Sequence, residues 1–251
     1  NHIISQIGDA FIHIDDIEDK ALPLYEGRMI GSFDFSEKGW VSGKGRTADW
    51  RDISFTKKVI EPQYLMAFDD FANIDVGLKI VYLSIGSSQN ARSMICTSID
   101  HVPCGNSLSI LKASSPSLPI VSCILNSITY DFALRSRLGG INVNYFVIAE
   151  TPLLTNLSKF NGDYLRKLGA RLAWPHQRFA SLWLDLKADS DFHKYSWYKL
   201  WAITNLERLR LKCINDALIS YFYGLEFEEL KWILLDCDRP IDQMRSKAIY
   251  R

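Results

Sequence analysis

The residue types best suited to chemistry fall in a few short segments. Residues 38–58 carry Lys38, Lys44, Arg46, Arg51, Lys57 and Lys58 against Asp49 and Asp52, interleaved with Trp40, Trp50 and Phe55. Asn90-Ala91-Arg92-Ser93 stands before a β-branched run, and Gly105-Asn106-Ser107 follows it. Arg135-Ser136-Arg137-Leu138-Gly139-Gly140-Ile141-Asn142-Val143-Asn144 runs through two glycines. Lysine and arginine neutralise phosphates, while arginine, asparagine and serine on loops hydrogen-bond phosphates and base edges. This is the chemistry of holding a nucleic acid rather than of making or breaking bonds. The same residue types also build turns and caps, which is the ordinary alternative for such loops.

Motifs for catalysis or metal binding are absent or incomplete. Gly43-Lys44-Gly45-Arg46-Thr47 resembles a phosphate loop only superficially. A Walker motif needs four residues between its first glycine and the Gly-Lys pair and a hydroxyl residue after the lysine; Lys38 and Gly45 stand at those places instead. No dinucleotide fingerprint and no nucleophile elbow occurs. Glu229-Leu230-Lys231, with Asp216 upstream, imitates a magnesium nuclease site, but both carboxylates fall on predicted helices and read as solvated helix charges. His101, Cys104 and Cys96 lack a fourth ligand at a suitable spacing, so no metal site is expected.

The elements that must position these groups come as strands first and helices later. Phe11-Ile12-His13-Ile14 alternates weakly, Leu78 to Ile85 is β-branched and aromatic, and Met94 to Ile99 is a second such run. Pro116-Ser117-Leu118-Pro119 opens a helix capped by Ser117 or Ser122, with an apolar stripe of Val121, Ile124, Leu125, Ile128 and Phe132. Gly139-Gly140 is expected to close it as a left-handed cap, and Ile141 to Ile148 to follow as an alternating strand. On that strand Asn142 and Asn144 share one face. Thr204-Asn205-Leu206-Glu207 has capping-box spacing. The helix after it is expected to bury Leu206, Leu209, Cys213, Ala217 and Tyr221, to stop at Gly224, and to be followed by one more helix over Phe227 to Asp236. The expected fold is therefore α+β: a strand-rich recognition part with a central helix over residues 1–155, then a helical supporting part over 156–251. Trp174, Trp183, Trp197, Trp201 and Trp232 in the second part read as core or interface aromatics.

The 251 residues include 29 Lys+Arg and 29 Asp+Glu, with 47% hydrophobic and 23% charged residues. Such a composition excludes a disordered chain and a polycation that binds nucleic acid by bulk charge. Local balance differs. Asp9, Asp15, Asp16, Glu18 and Asp19 make an acidic segment, whereas 38–58 and the stretch with Lys159, Arg166, Lys167 and Arg171 are basic. The five cysteines, Cys96, Cys104, Cys123, Cys213 and Cys237, form no C-x-x-C pair and read as reduced thiols, Cys123 and Cys213 on apolar helix faces. No run of about 18 apolar residues and no signal-peptide pattern occurs, so the expected location is the cytoplasm, without a membrane. The chain starts at Asn1 without a methionine, as a piece of a longer protein does.

Taken in order, these segments resemble the C-terminal specificity region of large bacterial N6-adenine DNA methyltransferases, among them type IIG restriction–modification enzymes and phage-defence methylases. The resemblance is carried by Leu22-Pro23-Leu24-Tyr25-Glu26-Gly27-Arg28-Met29-Ile30 with Phe33-Asp34, by Trp50-Arg51-Asp52-Ile53, by Asn90-Ala91-Arg92-Ser93-Met94-Ile95, and by Gly105-Asn106-Ser107-Leu108. The longest stretch runs from Leu125-Asn126-Ser127 through Asp131-Phe132, Arg135, Arg137, Gly139-Gly140, Asn142 and Asn144-Tyr145-Phe146 to Thr151-Pro152. Glu207-Arg208, Asn215-Asp216-Ala217 and Tyr223-Gly224-Leu225 complete it. Departures are Phe35-Ser36-Glu37 where the family has an arginine, Ser93 for the usual threonine, and Cys237-Asp238-Arg239-Pro240 after the last helix.

The resemblance implies a sequence-specific double-stranded DNA recognition domain, fused to or associated with a methyltransferase domain. The family's catalytic Asn-Pro-Pro-Tyr motif is missing, since no Asn-Pro dipeptide occurs, so no catalytic residue is expected here. S-adenosylmethionine is expected in the missing catalytic domain, and no cofactor in this chain. The expected DNA-binding residues are Lys44, Arg46, Arg51, Lys57, Lys58, Asn90, Arg92, Ser93, Asn106, Arg135, Arg137, Asn142 and Asn144. Two alternatives stand beside this reading: a protein-interaction module of a defence complex, and a magnesium-dependent nuclease using Glu229 and Lys231.

Overall fold

In the computed structural model the described residues are 3–7, 10–13, 20–71, 77–87, 90–188 and 191–235, the first two segments as backbone. The acidic residues Asp9, Asp15, Asp16, Glu18 and Asp19, and Cys237, lie outside them. The strands are β1 (Ile3–Ile7), β2 (Ala10–His13), β3 (Ala21–Leu24), β4 (Lys38–Ser42), β5 (Asp49–Asp52), β6 (Tyr64–Ala67), β7 (Lys79–Leu83), β8 (Cys96–Ile99) and β9 (Leu108–Leu111). The helices are α1 (Phe68–Phe71), α2 (Leu118–Leu125), α3 (Ile128–Arg135), α4 (Tyr145–Glu150), α5 (Lys159–Ala173), α6 (Ala180–Ala188), α7 (Trp197–Leu200), α8 (Asn205–Phe222) and α9 (Phe227–Leu235). Strands concentrate in the first half and helices in the second, which makes the fold α+β, as expected from the order of the patterns. No helix among the described residues is long and apolar enough to cross a membrane.

The continuous apolar run of β7 fits its place at the centre of an antiparallel sheet ordered β8-β7-β9, with Val81 opposite both Thr97 and Ile110. Helix α2 covers this sheet and packs on α5. That crossing is close because Gly169 lies there: a Cβ on it would stand 2.3 Å from the Pro119 carbonyl oxygen. Three further antiparallel pairs, β1–β2, β3–β6 and β4–β5, form two-stranded ribbons. One hydrophobic core runs through both halves of the chain, from Tyr25 and Phe33 through Ile80, Cys96 and Leu134 to Trp183 and Ile219.

The central helix is not continuous. The apolar stripe persists, but α2 and α3 are separate because Asn126 and Ser127 spend their side chains on other work. The Asn126 amide oxygen accepts from the Cys96 N–H at 3.2 Å, and its amino group donates to the Cys96 and Ser122 carbonyls at 3.0 Å each. Ser127 caps α3 by accepting from the Tyr130 N–H at 3.2 Å. Ser117 precedes α2 without a side-chain cap, and Ser122 is buried within it. Gly139 and Gly140 are not the left-handed cap either: α3 ends at Arg135 with Ser136 at its C-cap, and among the described residues the positive-φ glycines are Gly43, Gly45, Gly77 and Gly224.

The strand expected over Ile141 to Ile148 shrinks to one bridge, Ile85 to Asn142, and α4 follows with Asn144 at its N-cap position. Val143 and Val147 are the buried residues there, and a four-residue repeat fits a strand and a helix equally. Tyr145, which a strand would bury with them, is 75% exposed.

Helix α8 begins and ends as expected, with the Thr204 hydroxyl accepting from the Glu207 N–H at 3.2 Å and Gly224 in the left-handed region. Its buried face is the opposite of the expected one. Arg208, Leu211, Asn215, Ile219 and Ser220 are buried, whereas Leu206 and Tyr221 are 78% and 73% exposed and Cys213 is exposed. Helix α9 ends at Leu235, at the edge of the described residues.

Candidate nucleic-acid interface

Three segments far apart in the chain meet at one buried carboxylate. Asp131, on α3, has no exposed side-chain surface. Its Oδ1 accepts from the backbone N–H of Ser93 at 2.8 Å and of Met94 at 2.6 Å. Its Oδ2 faces the guanidinium groups of Arg135, one helical turn on at 3.2 Å, and of Arg92 at 3.6 Å. Arg92 also donates to the Asn126 carbonyl, and the Ser93 hydroxyl donates to the Ser87 carbonyl at 2.6 Å. Arg92, Ser93 and Arg135 are therefore committed to protein partners, and the phosphate- and base-contact roles expected of them give way to a positioning role. They tie the loop before β8 to α3, and Asn90 in that loop is exposed. Asp131 and Asn126, the centres of this arrangement, were named in the sequence only as parts of a longer pattern, because nothing local shows a carboxylate's distant partners.

Lys58 is likewise turned inward. Its ammonium donates to Asp34 at 2.7 Å and to the carbonyls of Ser36 and Ile53 at 2.6 and 2.7 Å, with no exposed side-chain surface. Burial pushes its pKa down, opposed by Asp34. Beside it Arg208 donates to the carbonyls of Leu172, Ala202 and Phe33, and its guanidinium lies 3.5 Å from the centre of the Phe55 ring. Phe33, whose carbonyl accepts from Arg208, has φ +58°, in the left-handed region. Burial brings the Arg208 pKa down to about 10 and that of Lys212, one turn along, to about 8. Neither Lys58 nor Arg208 has surface left for a phosphate.

The remaining expected contact residues are on the surface. Lys44 and Arg46 flank Gly45 in the exposed loop that joins β4 and β5, and Lys57 ends the short turn after β5. The loop's shape comes from Gly43 and Gly45, both at positive φ, and from the carbonyl of Gly43, which accepts from the Trp40 indole at 3.0 Å and the Gln63 amide at 3.2 Å. Arg51 is exposed but paired with both carboxylate oxygens of Glu61. Asn106 is exposed on the β8–β9 turn. Asn142 and Asn144 are exposed beside the Ile85 bridge, and not on the shared strand face expected of them. Arg137 is exposed, and one of its amino groups donates back to the Ala133 carbonyl at 2.8 Å, satisfying the end of α3.

Under the Lys44–Arg46 loop opens a cleft of about 820 Å³. Its floor and walls are Glu26, Gly27, Leu83, Ile95, Trp50 and Tyr64, and Arg28 spans its mouth by donating to the Gly45 carbonyl at 3.3 Å. A cleft was not foreseeable from the sequence, because its walls come from β5, β6, β7 and the Gly27–Met29 turn.

The arrangements imitating enzyme sites do not assemble. The Asp216 carboxylate accepts from the Ile128 N–H at 2.8 Å and ties α8 to the start of α3, rather than being solvated; burial raises its pKa. Glu229 is exposed and accepts from the Glu226 N–H at 2.8 Å, while Lys231 pairs with Glu228 at 3.1 Å. His101 packs its ring at a tilt against Phe71, Cys96 is fully buried against Asn126, and among the described residues no three His, Cys, Asp or Glu side chains gather to hold a metal. No family model, no curated protein and no solved structure matches the chain.

Proposed function

We propose that the chain is the sequence-specific double-stranded DNA recognition region of a bacterial adenine-N6 DNA methyltransferase of restriction–modification or phage defence, acting in the cytoplasm. It would be fused to or associated with the catalytic domain that binds S-adenosylmethionine. The observation that carries this reading is a division of labour among the expected contact residues and those packed around them. Arg92, Ser93, Asn126, Asp131 and Arg135 hold the frame, and Lys44, Arg46, Lys57, Asn90, Asn106, Arg137, Asn142 and Asn144 are left exposed on its loops. Exposed cations neutralise phosphates and set register, and exposed amides at a rigid frame read base edges. The neutral overall charge fits a reader that depends on placed contacts, because binding by bulk charge needs a net positive chain.

Fluorescence-anisotropy titration of labelled duplex DNA over a salt series tests it. Salt-sensitive binding with a preferred sequence is the expected result. No affinity for any duplex, together with a stable complex with another protein, would instead favour a protein-interaction module. The observation behind that second reading is the exposed apolar set Leu206, Tyr221 and Phe227, each more than 70% exposed.

A further inference from the structure

We infer that Tyr145 and Phe146 form a wedge that parts two neighbouring base pairs of duplex DNA at a pyrimidine–purine step. The inference rests on the DNA-recognition reading and deepens it by naming how this chain deforms its DNA. The wedge stands on a ridge: of residues 139–146 only Val143 is buried, and the rest are exposed. Val143 is the anchor. Its N–H donates to the Ser84 carbonyl at 2.9 Å, and a Cβ on Gly86 would stand 3.1 Å from its side chain. The Gly86 N–H donates in turn to the Ile141 carbonyl at 2.8 Å. At Gly139 and Gly140 an added Cβ meets nothing within 4 Å, so the ridge stands clear there. Val147 is buried and seats the first turn of α4, while Ile141, Tyr145 and Phe146 are each more than half exposed.

Charge and area decide what covers these side chains. Asn142 and Asn144 are exposed on the same ridge, the exposed Arg137 precedes it, and no Asp or Glu occurs between Phe132 and Ala149. A carboxylate-free segment with an exposed cation is complementary to a polyanion. The exposed parts of Ile141, Tyr145 and Phe146 come to roughly 400 Å² on the usual size of such side chains. A stable protein interface takes about 800 Å² from each partner. A wedge needs only side chains that reach between two base pairs, and proteins that kink DNA insert apolar side chains such as Phe in this way. Aromatic rings also stack on bases whatever their sequence. Insertion costs unstacking, and the pyrimidine–purine steps TA and CA/TG unstack most easily. The wedge thereby selects sequence at a step whose base edges Asn142 and Asn144 need not touch.

Permanganate tests it, because it oxidises thymines that have left the stack and the steps TA and CA/TG each carry one. An end-labelled duplex of the sequence that the whole chain prefers is saturated with protein and treated with permanganate. Reactivity should rise about threefold or more at one such step. Tyr145→Ser combined with Phe146→Ser should abolish the rise at saturation and weaken duplex binding about tenfold. The slope of log affinity against log salt should stay as it was, because no cation is lost. The variant should melt as the unaltered chain does, since the replaced side chains are exposed. Duplex binding without a rise at any thymine overturns the inference and leaves duplex recognition standing, and so does a rise that survives in the serine variant. No binding to any duplex removes both. A complex with another protein that only the serine variant fails to form makes the ridge a protein contact and removes the wedge.

Discussion

The carboxylate of Asp131 accepts the backbone N–H of Ser93 at 2.8 Å, across 38 residues of chain. It thereby fixes the loop ahead of β8 to α3, and it does so while balancing two guanidinium groups, Arg92 and Arg135. A loop held this way keeps the exposed Asn90 close to a fixed anchor, as the proposed function requires. Removing the carboxylate leaves two buried or half-buried cations without their counter-charge. Asp131→Asn should therefore destabilise the fold by about 3–5 kcal/mol, measured as a shift of the urea midpoint. A shift below about 1 kcal/mol would show that the hub is not a buried charge network.

The inverted face of α8 gives a direct comparison. Leu206 is 78% exposed and Leu211 is 3% exposed, although both belong to apolar helical rows. Leu211→Ala should cost about 2–5 kcal/mol, whereas Leu206→Ala should change stability by less than about 0.5 kcal/mol. Equal costs would restore the face expected from the periodicity.

Lys212 gives the fold a pH dependence. Burial brings its pKa from 10.5 to about 8, so between those values the unfolded chain holds a proton there that the folded chain has released. The burial penalty is fully present below pH 8 and is relieved as the pH rises toward 10.5. Asp34 and Glu37 oppose the shift, while Arg208 and Arg92 add to it. Lys212→Met should consequently raise stability near pH 7, and the gap to the unaltered chain should narrow between pH 8 and 10.5. A gap that stays constant over that interval in urea melts would refute the assignment.

Duplex binding should separate the exposed cations from the buried ones. Lys44→Ala with Arg46→Ala should weaken binding to every duplex and reduce the slope of log affinity against log salt by about 2. Arg137→Ala should reduce it by about 1. Arg92→Ala should act mainly through stability, detectable as a lower melting temperature, since its guanidinium is held between Asp131 and the Asn126 carbonyl. An unchanged slope in the Lys44/Arg46 variant would remove that loop from the interface.

Sequence alone determined the α+β order, the strands around Leu78 to Ile85 and Met94 to Ile99, the start of α8 at Thr204 and its stop at Gly224. These are local matters: a run of β-branched residues, a hydroxyl three residues before a free N–H, a glycine that accepts a positive φ. The basic loop around Lys44 and Arg46 was legible for the same reason. What the tertiary structure alone decided is which polar residues face inward. Arg208 reaches the Phe33 carbonyl across 175 residues, Asn215 donates to the Cys123 carbonyl, and Asp131 holds Ser93. Each such group is tolerated in the core because a distant partner satisfies it, and hydrophobic periodicity registers apolar surface but not the partner of a charge. That is why α8 turned its charged side inward, why one apolar stripe became two helices at Asn126, and why Lys58, Arg92, Ser93 and Arg135 came to hold the frame while their neighbours remained on the surface.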